Sequence, residues 1–207
     1  NGIQVYYKQT DFQNDEVLVR AYSPGGTSLY ALEDHLITSL ANPYLDQAGY
    51  GGLSVSDMEK FMSGKTASFQ TSIGSYQESG SGSATNKDLE TLFELIYVHF
   101  TALNKNDAVF GAYFNSLKAY YPSLLSNPQT FFQIASSDKQ NEGNERYTGF
   151  PSDEDFDAVD YDLAHKLRGT RFADANDFTF FFSGNFANFS SLCDCMYNIF
   201  CSIVSIC

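Results

Sequence analysis

The 207-residue chain has no tryptophan and only four cysteines, and all four, Cys193, Cys195, Cys201 and Cys207, sit at its extreme C-terminal end. No disulfide can cross-link the residues before Cys193 to one another, so the body of the fold must rest on a hydrophobic core. Basic residues are scarce: 12 Lys and Arg stand against 25 Asp and Glu, for a formal net charge of -13. Such a chain repels phosphate backbones and anionic lipid, which argues against nucleic acid or a membrane surface as partner. The acidity itself reads as serving solubility. No run reaches the roughly 18 uninterrupted apolar residues of a membrane-spanning helix, so no membrane insertion is expected. Neither an initiating Met nor a basic and apolar leader precedes Asn1-Gly2-Ile3, and the chain reads as cut from a longer one.

What is present is bulky apolar surface. Nineteen Phe and 14 Tyr argue against disorder. The length suits one generous domain, expected over residues 1–187, with an atypical Cys-containing tail at 188–207. The stretch expected to organise the chain runs from Glu16 to Asn42. A strand, Val17-Leu18-Val19-Arg20-Ala21-Tyr22, leads through Ser23-Pro24-Gly25-Gly26 into a helix. Leu29, Leu32, Leu36, Ile37, Leu40 and Ala41 share one face of that helix, and it should end or kink at Asn42 before Pro43.

Ile3 to Lys8 has strand composition and is expected to pair antiparallel with the strand from Glu16. Ser56-Asp57-Met58-Glu59 opens a short helix ending near Gly64. Ala67 to Tyr76 follows as a strand with Phe69, Thr71 and Ile73 on one face. Glu78-Ser79-Gly80-Ser81-Gly82-Ser83 reads as a turn or mobile loop. Asn86 is placed to cap a helix carrying Leu89, Leu92, Phe93, Leu95, Ile96 and Phe100. Another helix uses Val109, Phe110, Phe114 and Leu117 and stops at Pro122. Pro128 to Ile134 is a further helical piece, and Asp138 to Gly149 an exposed loop. Ser152 to Val159 and Asp160 to Phe172 are consecutive helices, the second with Leu163 and Leu167 inward. Phe178 to Phe182 is a strand apolar on both faces. Paired strands with helices grouped between them predict an α+β fold: an α/β sandwich whose antiparallel or mixed sheet is covered mainly on one face.

The candidates for chemistry are thin. His35, His99 and His165 are each single on a predicted helix and read as surface or packing residues. No Gly-x-Ser-x-Gly elbow supports a serine nucleophile. Asp153-Glu154-Asp155 with Asp157, Asp160 and Asp162 lacks the spacing of an EF-hand and reads as helix-capping acids. Gly80 and Gly82 lack the Lys and helix entry of a phosphate loop. Cys193-Asp194-Cys195 with Cys201 and Cys207 fits no zinc spacing. From Asn188 onward there is no Lys, Arg or Glu, so this end could be out of frame or truncated. Asn188-Phe189-Ser190 matches a glycosylation sequon, a pattern common by chance.

Several stretches, taken in order, resemble a known family. They are Asn1-Gly2-Ile3-Gln4-Val5, Asp11-Phe12, Tyr22 to Ser28, Ser63-Gly64-Lys65, Asp88 to Leu92, Arg171 to Asp174, and Asp177 to Asn185. Together they resemble the non-catalytic third domain of long, four-domain pitrilysin/insulinase-type (inverzincin) zinc peptidases, of a Bacteroidetes-like kind. The resemblance implies the mitochondrial-processing-peptidase-like metallohydrolase fold. It further implies two bowl-like halves closing around a peptide, with zinc held by the other half alone. In the catalytic domain of this family H-x-x-E-H lies on the helix after the Gly turn, two imidazoles one turn apart with a carboxylate beside them. Here Ala31-Leu32-Glu33-Asp34-His35 lacks the first histidine and carries its glutamate one place early, and no Glu occurs between Glu94 and Glu142.

No catalytic, metal-ligating or cofactor-binding residue is therefore expected in this chain. By resemblance, its partners are the catalytic half of a parent polypeptide, which would hold the zinc, and a peptide in the closed chamber, where an acidic wall would favour basic segments. The strand Ala67 to Tyr76, if at a sheet edge, could pair with an extended peptide. A periplasmic or envelope location is likewise implied, and self-association of the isolated domain through an exposed interdomain face is an open outcome. Two alternatives stand beside this reading: a free-standing binding or assembly module, and an active hydrolase with an unrecognised ligand set.

Overall fold

In a computed structural model, residues 3–186 are described. The expected tail 188–207, with its four cysteines and its sequon, lies outside them. Five strands form one sheet: β1 (Gln4–Gln9), β2 (Val17–Pro24), β3 (Ala67–Ile73), β4 (Gln77–Ala84) and β5 (Thr179–Gly184), in the order β1-β5-β2-β4-β3. The α-helices are α1 (Leu32–Thr38), α2 (Val55–Met62), α3 (Leu89–Thr101), α4 (Asp107–Leu124), α5 (Pro128–Gln140), α6 (Asp153–Asp157) and α7 (Tyr161–Phe172). The fold is α+β with a mixed sheet, as the sequence implies. Its residues group into two compact units, one of 1–29, 49–104 and 167–207, the other of 30–48 and 105–166.

The first unit contains the whole sheet. Alternation along β2 buries Val17, Val19 and Ala21 on one face and turns Leu18, Arg20 and Tyr22 to the other. Phe180 and Phe182 of β5 and Phe69 of β3 join the buried face. Against it lies α3, whose Leu89, Leu92, Phe93, Ile96 and Phe100 follow helical spacing. Phe93 meets Phe182 with ring centroids 5.5 Å apart, and the Phe100 ring stands edge-on to Phe172 and Phe178. The start of α3 is fixed by Asp88, whose carboxylate accepts from Thr66 N at 2.8 Å and from the Thr85 hydroxyl. Asn86, the expected cap, instead donates its side-chain amide to Asp15 and to the Asn185 carbonyl.

Among the described residues the other face of the sheet stays open. Tyr6, Leu18, Tyr22 and Phe181 are 56, 42, 43 and 47% exposed there. Tyr6 stacks on Phe181 at 5.4 Å, and Ser79, Ser81 and Ser83 of β4 continue the same face.

Two sequence expectations need correction in this unit. β1 does not pair with β2: it lies parallel to β5, and β5 runs antiparallel to β2 between them. The Phe-rich β5 has the apolar content for an interior position, whereas β1 has mostly exposed residues suited to an edge. β5 carries apolar rings on both faces, Phe180 and Phe182 toward the core and Phe181 toward the open side. The second correction is the Gly-Ser stretch Glu78 to Ser83, which is an interior strand rather than a loop. Its glycines face the core, where the Phe69 ring takes the space that their side chains would fill. A Cβ on Gly80 would lie 2.6 Å from the tip of that ring, and one on Gly82 only 2.1 Å from the Ser68 carbonyl oxygen.

One end of the sheet is locked by a buried charge. Glu78 is fully buried on β4, where its Oε1 accepts from Gly26 N at 2.9 Å and lies 3.1 Å from Arg171 Nε. The Gly turn also clasps the β3–β4 hairpin, through Gly25 N to Tyr76 O, Thr27 N to Gly74 O and Ser28 N to Ser75 O. Gly26 adopts φ 64°, and a Cβ there would fall 2.2 Å from the Gly74 carbonyl, so only glycine fits.

The second unit is helical and aromatic. Phe110 stacks on Tyr161 at 3.9 Å and on Phe114 at 5.0 Å, and Phe156 packs against Phe114 and Tyr121. Here α1 is shorter than expected. It ends at Thr38, whose hydroxyl turns back to the Asp34 carbonyl, and the chain continues as a tight 3-10 segment over Asn42–Ala48. Leu29 and Leu36 are exposed, so this helix is not the centre of packing. Pro122 sits in the last turn of α4 rather than stopping it, and α5 runs on to Gln140 through part of the expected loop. Along α7 the fully or nearly buried side chains are Ala164, Arg168 and Phe172, with Leu163 and Leu167 only partly covered.

Two outcomes follow for stability. Gly82→Ala should lower the unfolding free energy by about 1–3 kcal/mol in urea titrations, because a backbone oxygen cannot move aside as a flexible side chain can. Arg171→Ala should cost roughly 3–5 kcal/mol by leaving the Glu78 carboxylate buried without its cation. An unchanged midpoint for either variant would contradict the packing described.

Candidate functional site

The strand, Gly turn and helix that would carry a zinc motif are β2, the Ser23–Gly26 turn and α1. On α1 the single imidazole, His35, directs Nε2 at the Arg146 carbonyl oxygen 3.0 Å away. No second histidine lies on this helix. Two imidazoles one turn apart with a neighbouring carboxylate are what a catalytic zinc of this kind requires. Among the described residues, no group of three or more His, Cys, Asp or Glu side chains is placed to hold a metal ion. These residues do not fit zinc.

His99 is a buried histidine of α3. Its ring stacks on Tyr50 at 3.9 Å, meets the Phe69 ring edge-on, and places Nδ1 3.4 Å from Thr71 Oγ1. Arg168 donates to the same Thr71 oxygen at 2.6 Å and stacks over Phe172. Burial first, and then the Arg168 charge, pull the His99 pKa down to about 3. A ring held neutral in this way is a packing group. His165 lies on α7 with its ring 6.3 Å from Tyr161.

The acidic cluster is accounted for by local structure. Ser152 and Asp155 form a reciprocal cap at the start of α6. Asp157 pairs with Lys118, Asp160 accepts from Leu163 N, and Asp162 pairs with Lys105, which also holds Asp107. Those two carboxylates raise the Lys105 pKa.

Among the described residues β3 is an edge strand, bonded to β4 on one side only. Its outer edge therefore offers backbone donors and acceptors of the kind that an added strand uses. Cavities lined by the described residues are also present, and two of them bear on function. The first, of about 450 Å³, lies in the first unit between the 50–53 loop, α2 and α3. The second, of about 340 Å³, lies in the helical unit beside Tyr44 and Tyr121. There burial, reinforced by the neighbouring Tyr121 hydroxyl, pushes the Tyr44 phenol up to about 12.

Neither the His99-Thr71-Arg168 group nor the Glu78-Arg171 pair was visible in the sequence. Their members are far apart along the chain, and no local spacing joins them.

No family model and no curated protein matches this chain. Solved structures do. The periplasmic protease PqqL from Escherichia coli aligns over 96% of this chain and 22% of its own, with a TM-score of 0.76 and 18% identity. The ferredoxin protease FusC, solved with Arabidopsis ferredoxin, aligns over 96% and 22%, with a TM-score of 0.71 and 15% identity. An inactive M16 peptidase domain from Pseudomonas fluorescens aligns over 97% and 48%, with a TM-score of 0.70 and 12% identity. The chain thus spans less than half the length of each. At these identities the likeness establishes the fold, which is that of M16-type peptidase domains.

Because the unfolded chain protonates His99 near its ordinary value of 6.5 and the folded chain only near 3, the unfolded state binds more protons between those values. Stability should be complete above about pH 6.5 and fall as the pH drops, by ~1.4 kcal/mol per pH unit from this group. His99→Gln should flatten that slope between about pH 6.5 and pH 5 in urea titrations, whatever its absolute stability. An unaltered slope would contradict a neutral buried ring.

Proposed function

We propose that this chain is a non-catalytic domain, the third of four, in a longer M16-type zinc peptidase. In this reading it helps to wall a chamber that holds peptide. The observation that carries the proposal is a peptidase-domain fold whose α1 bears one imidazole, engaged by a backbone carbonyl, where catalysis needs two. The open sheet face, with Tyr6, Leu18, Tyr22 and Phe181, supplies apolar surface suited to a neighbouring domain or to an enclosed polypeptide. The free edge of β3 adds backbone groups for an extended segment. Zinc belongs, on this reading, to the catalytic half of the parent, which is also the principal partner. An extracytoplasmic site of action agrees with the likeness to a periplasmic protease, and among the described residues no helix is long and apolar enough to cross a membrane. The same exposed face would let the isolated chain self-associate.

The test is elemental analysis and peptide hydrolysis on the purified chain, alone and mixed with the catalytic half. The expected result is no stoichiometric zinc and no chelator-sensitive cleavage by the chain alone, with complex formation on mixing. Stoichiometric zinc together with chelator-sensitive cleavage would make the chain an enzyme in its own right. Failure to bind the catalytic half, with peptide binding retained, would favour a free-standing binding module.

A further inference from the structure

The cavity of about 450 Å³ in the first unit has an unusual division of chemistry. Its apolar floor is Met58, Leu95 and Val98, and three aromatic rings, Tyr50, Phe61 and Tyr97, wall it. The single charged group in its lining is the carboxylate of Glu94, exposed and with neither an ion pair nor a hydrogen bond among the described residues. No Lys, Arg or His lines it. Phe61 already receives one cation, since Lys65 Nζ lies 3.5 Å from the ring centroid.

We propose that this cavity binds a basic side chain, arginine in preference to lysine, presented by a polypeptide with an apolar residue beside it. That the occupant is a polypeptide rests on the chamber reading above. Its charge and shape follow from the lining. An anion would find only Glu94 and be repelled. A wholly apolar ligand would draw the Glu94 carboxylate out of water with nothing to pair it. A basic side chain satisfies both halves, because its methylene stem can lie along Met58 and Val98 while its head rests over an aromatic face and against Glu94. Guanidinium is favoured over ammonium because it is planar, stacks on rings and is more weakly hydrated. The cavity exceeds the volume of one such side chain, which leaves room on the apolar floor for the neighbouring residue. The chain's charge of -13 draws basic segments toward it from a distance.

The experiment is NMR titration of the full 207-residue chain with blocked peptides that differ only in one central pair, Leu-Arg, Leu-Lys or Leu-Gln. The Leu-Arg peptide should bind about fivefold tighter than Leu-Gln, the product of one cation–ring contact and one exposed ion pair. Leu-Lys should fall between them, and signals of α2 and α3 should move. Glu94→Gln, an exposed substitution that preserves side-chain size, should cut the Leu-Arg preference over Leu-Gln from about fivefold to about twofold, the part left to the ring contact. Phe61→Leu should weaken Leu-Arg more than Leu-Gln. Equal affinities in the unaltered chain, or a preference for Leu-Arg undiminished by Glu94→Gln, would overturn the assignment. A zinc-free, non-hydrolytic chain that binds none of the peptides would sink this proposal and leave the chamber reading standing. Stoichiometric zinc and cleavage, with the Arg preference reduced by Glu94→Gln, would do the reverse.

Discussion

A fully buried carboxylate on an interior strand holds the sheet-bearing unit in register. Glu78 joins three pieces of chain distant in sequence: β4 itself, the Gly turn after β2 through Gly26 N, and the end of α7 through Arg171. A carboxylate taken out of water is tolerable only with a cation and donors in place, and its Oε2 accepts no hydrogen bond from the described residues. The group therefore selects one arrangement of these pieces. Any shift of β4 by one residue would turn Glu78 to the open face and Ser79 inward, breaking the pair and exchanging every side chain between faces. The Gly turn obeys the same constraint, because its backbone must approach both the carboxylate and the Gly74 carbonyl more closely than a Cβ allows.

The unequal faces of the sheet follow from that register. On the covered side, Gly80 and Gly82 make the hollow that Phe69 fills, and α3 closes over Phe180 and Phe182. On the open side, β4 contributes Gln77 and serines while β1, β2 and β5 contribute Tyr6, Tyr22, Leu18 and Phe181 beside Arg20. One half of that face is thus polar, and the other carries the bulky apolar groups. A sheet of this kind is a surface as much as a core, and that is the physical basis for reading it as one side of an enclosure.

Much of this was legible along the chain, and the failures share a cause. The alternation of β2, the helical spacing of α3 and the fold class were carried by local periodicity, which is what a sequence displays directly. β4 was missed because Gly and Ser are weak strand formers, and its strand state is imposed by Phe69 and by neighbours on both sides. Pairing of β1 with β5 could not be read either, since adjacency in sequence favours β2 and only the burial demand of Phe180 and Phe182 places β5 between them. At the candidate site, the missing imidazoles were plain from residue types alone. The buried His99-Thr71-Arg168 group was not, because it exists only once α3, β3 and α7 have come together. The apolar cavity was hidden for the same reason: Met58, Phe61, Leu95 and Val98 read as ordinary helix-face residues until α2 and α3 leave space between them.

The same distribution of burial separates α1 from the core of the sheet-bearing unit. The large buried side chains of the sheet-bearing unit belong to α3, β2, β5 and the end of α7: Phe93, Ile96, Val17, Phe180, Phe182 and Phe172. α1 is a seven-residue helix without a side-chain cap, and Thr38 is its buried residue. Substituting an exposed or half-exposed imidazole on such a helix removes no core volume and breaks none of the buried pairs, so the thermodynamic penalty is small. Replacing Glu78, Gly82 or Phe93 would remove something the unit cannot replace. α1 and the stabilising core of the sheet-bearing unit therefore occupy different stretches of chain, and side chains on α1 can change without disturbing that core.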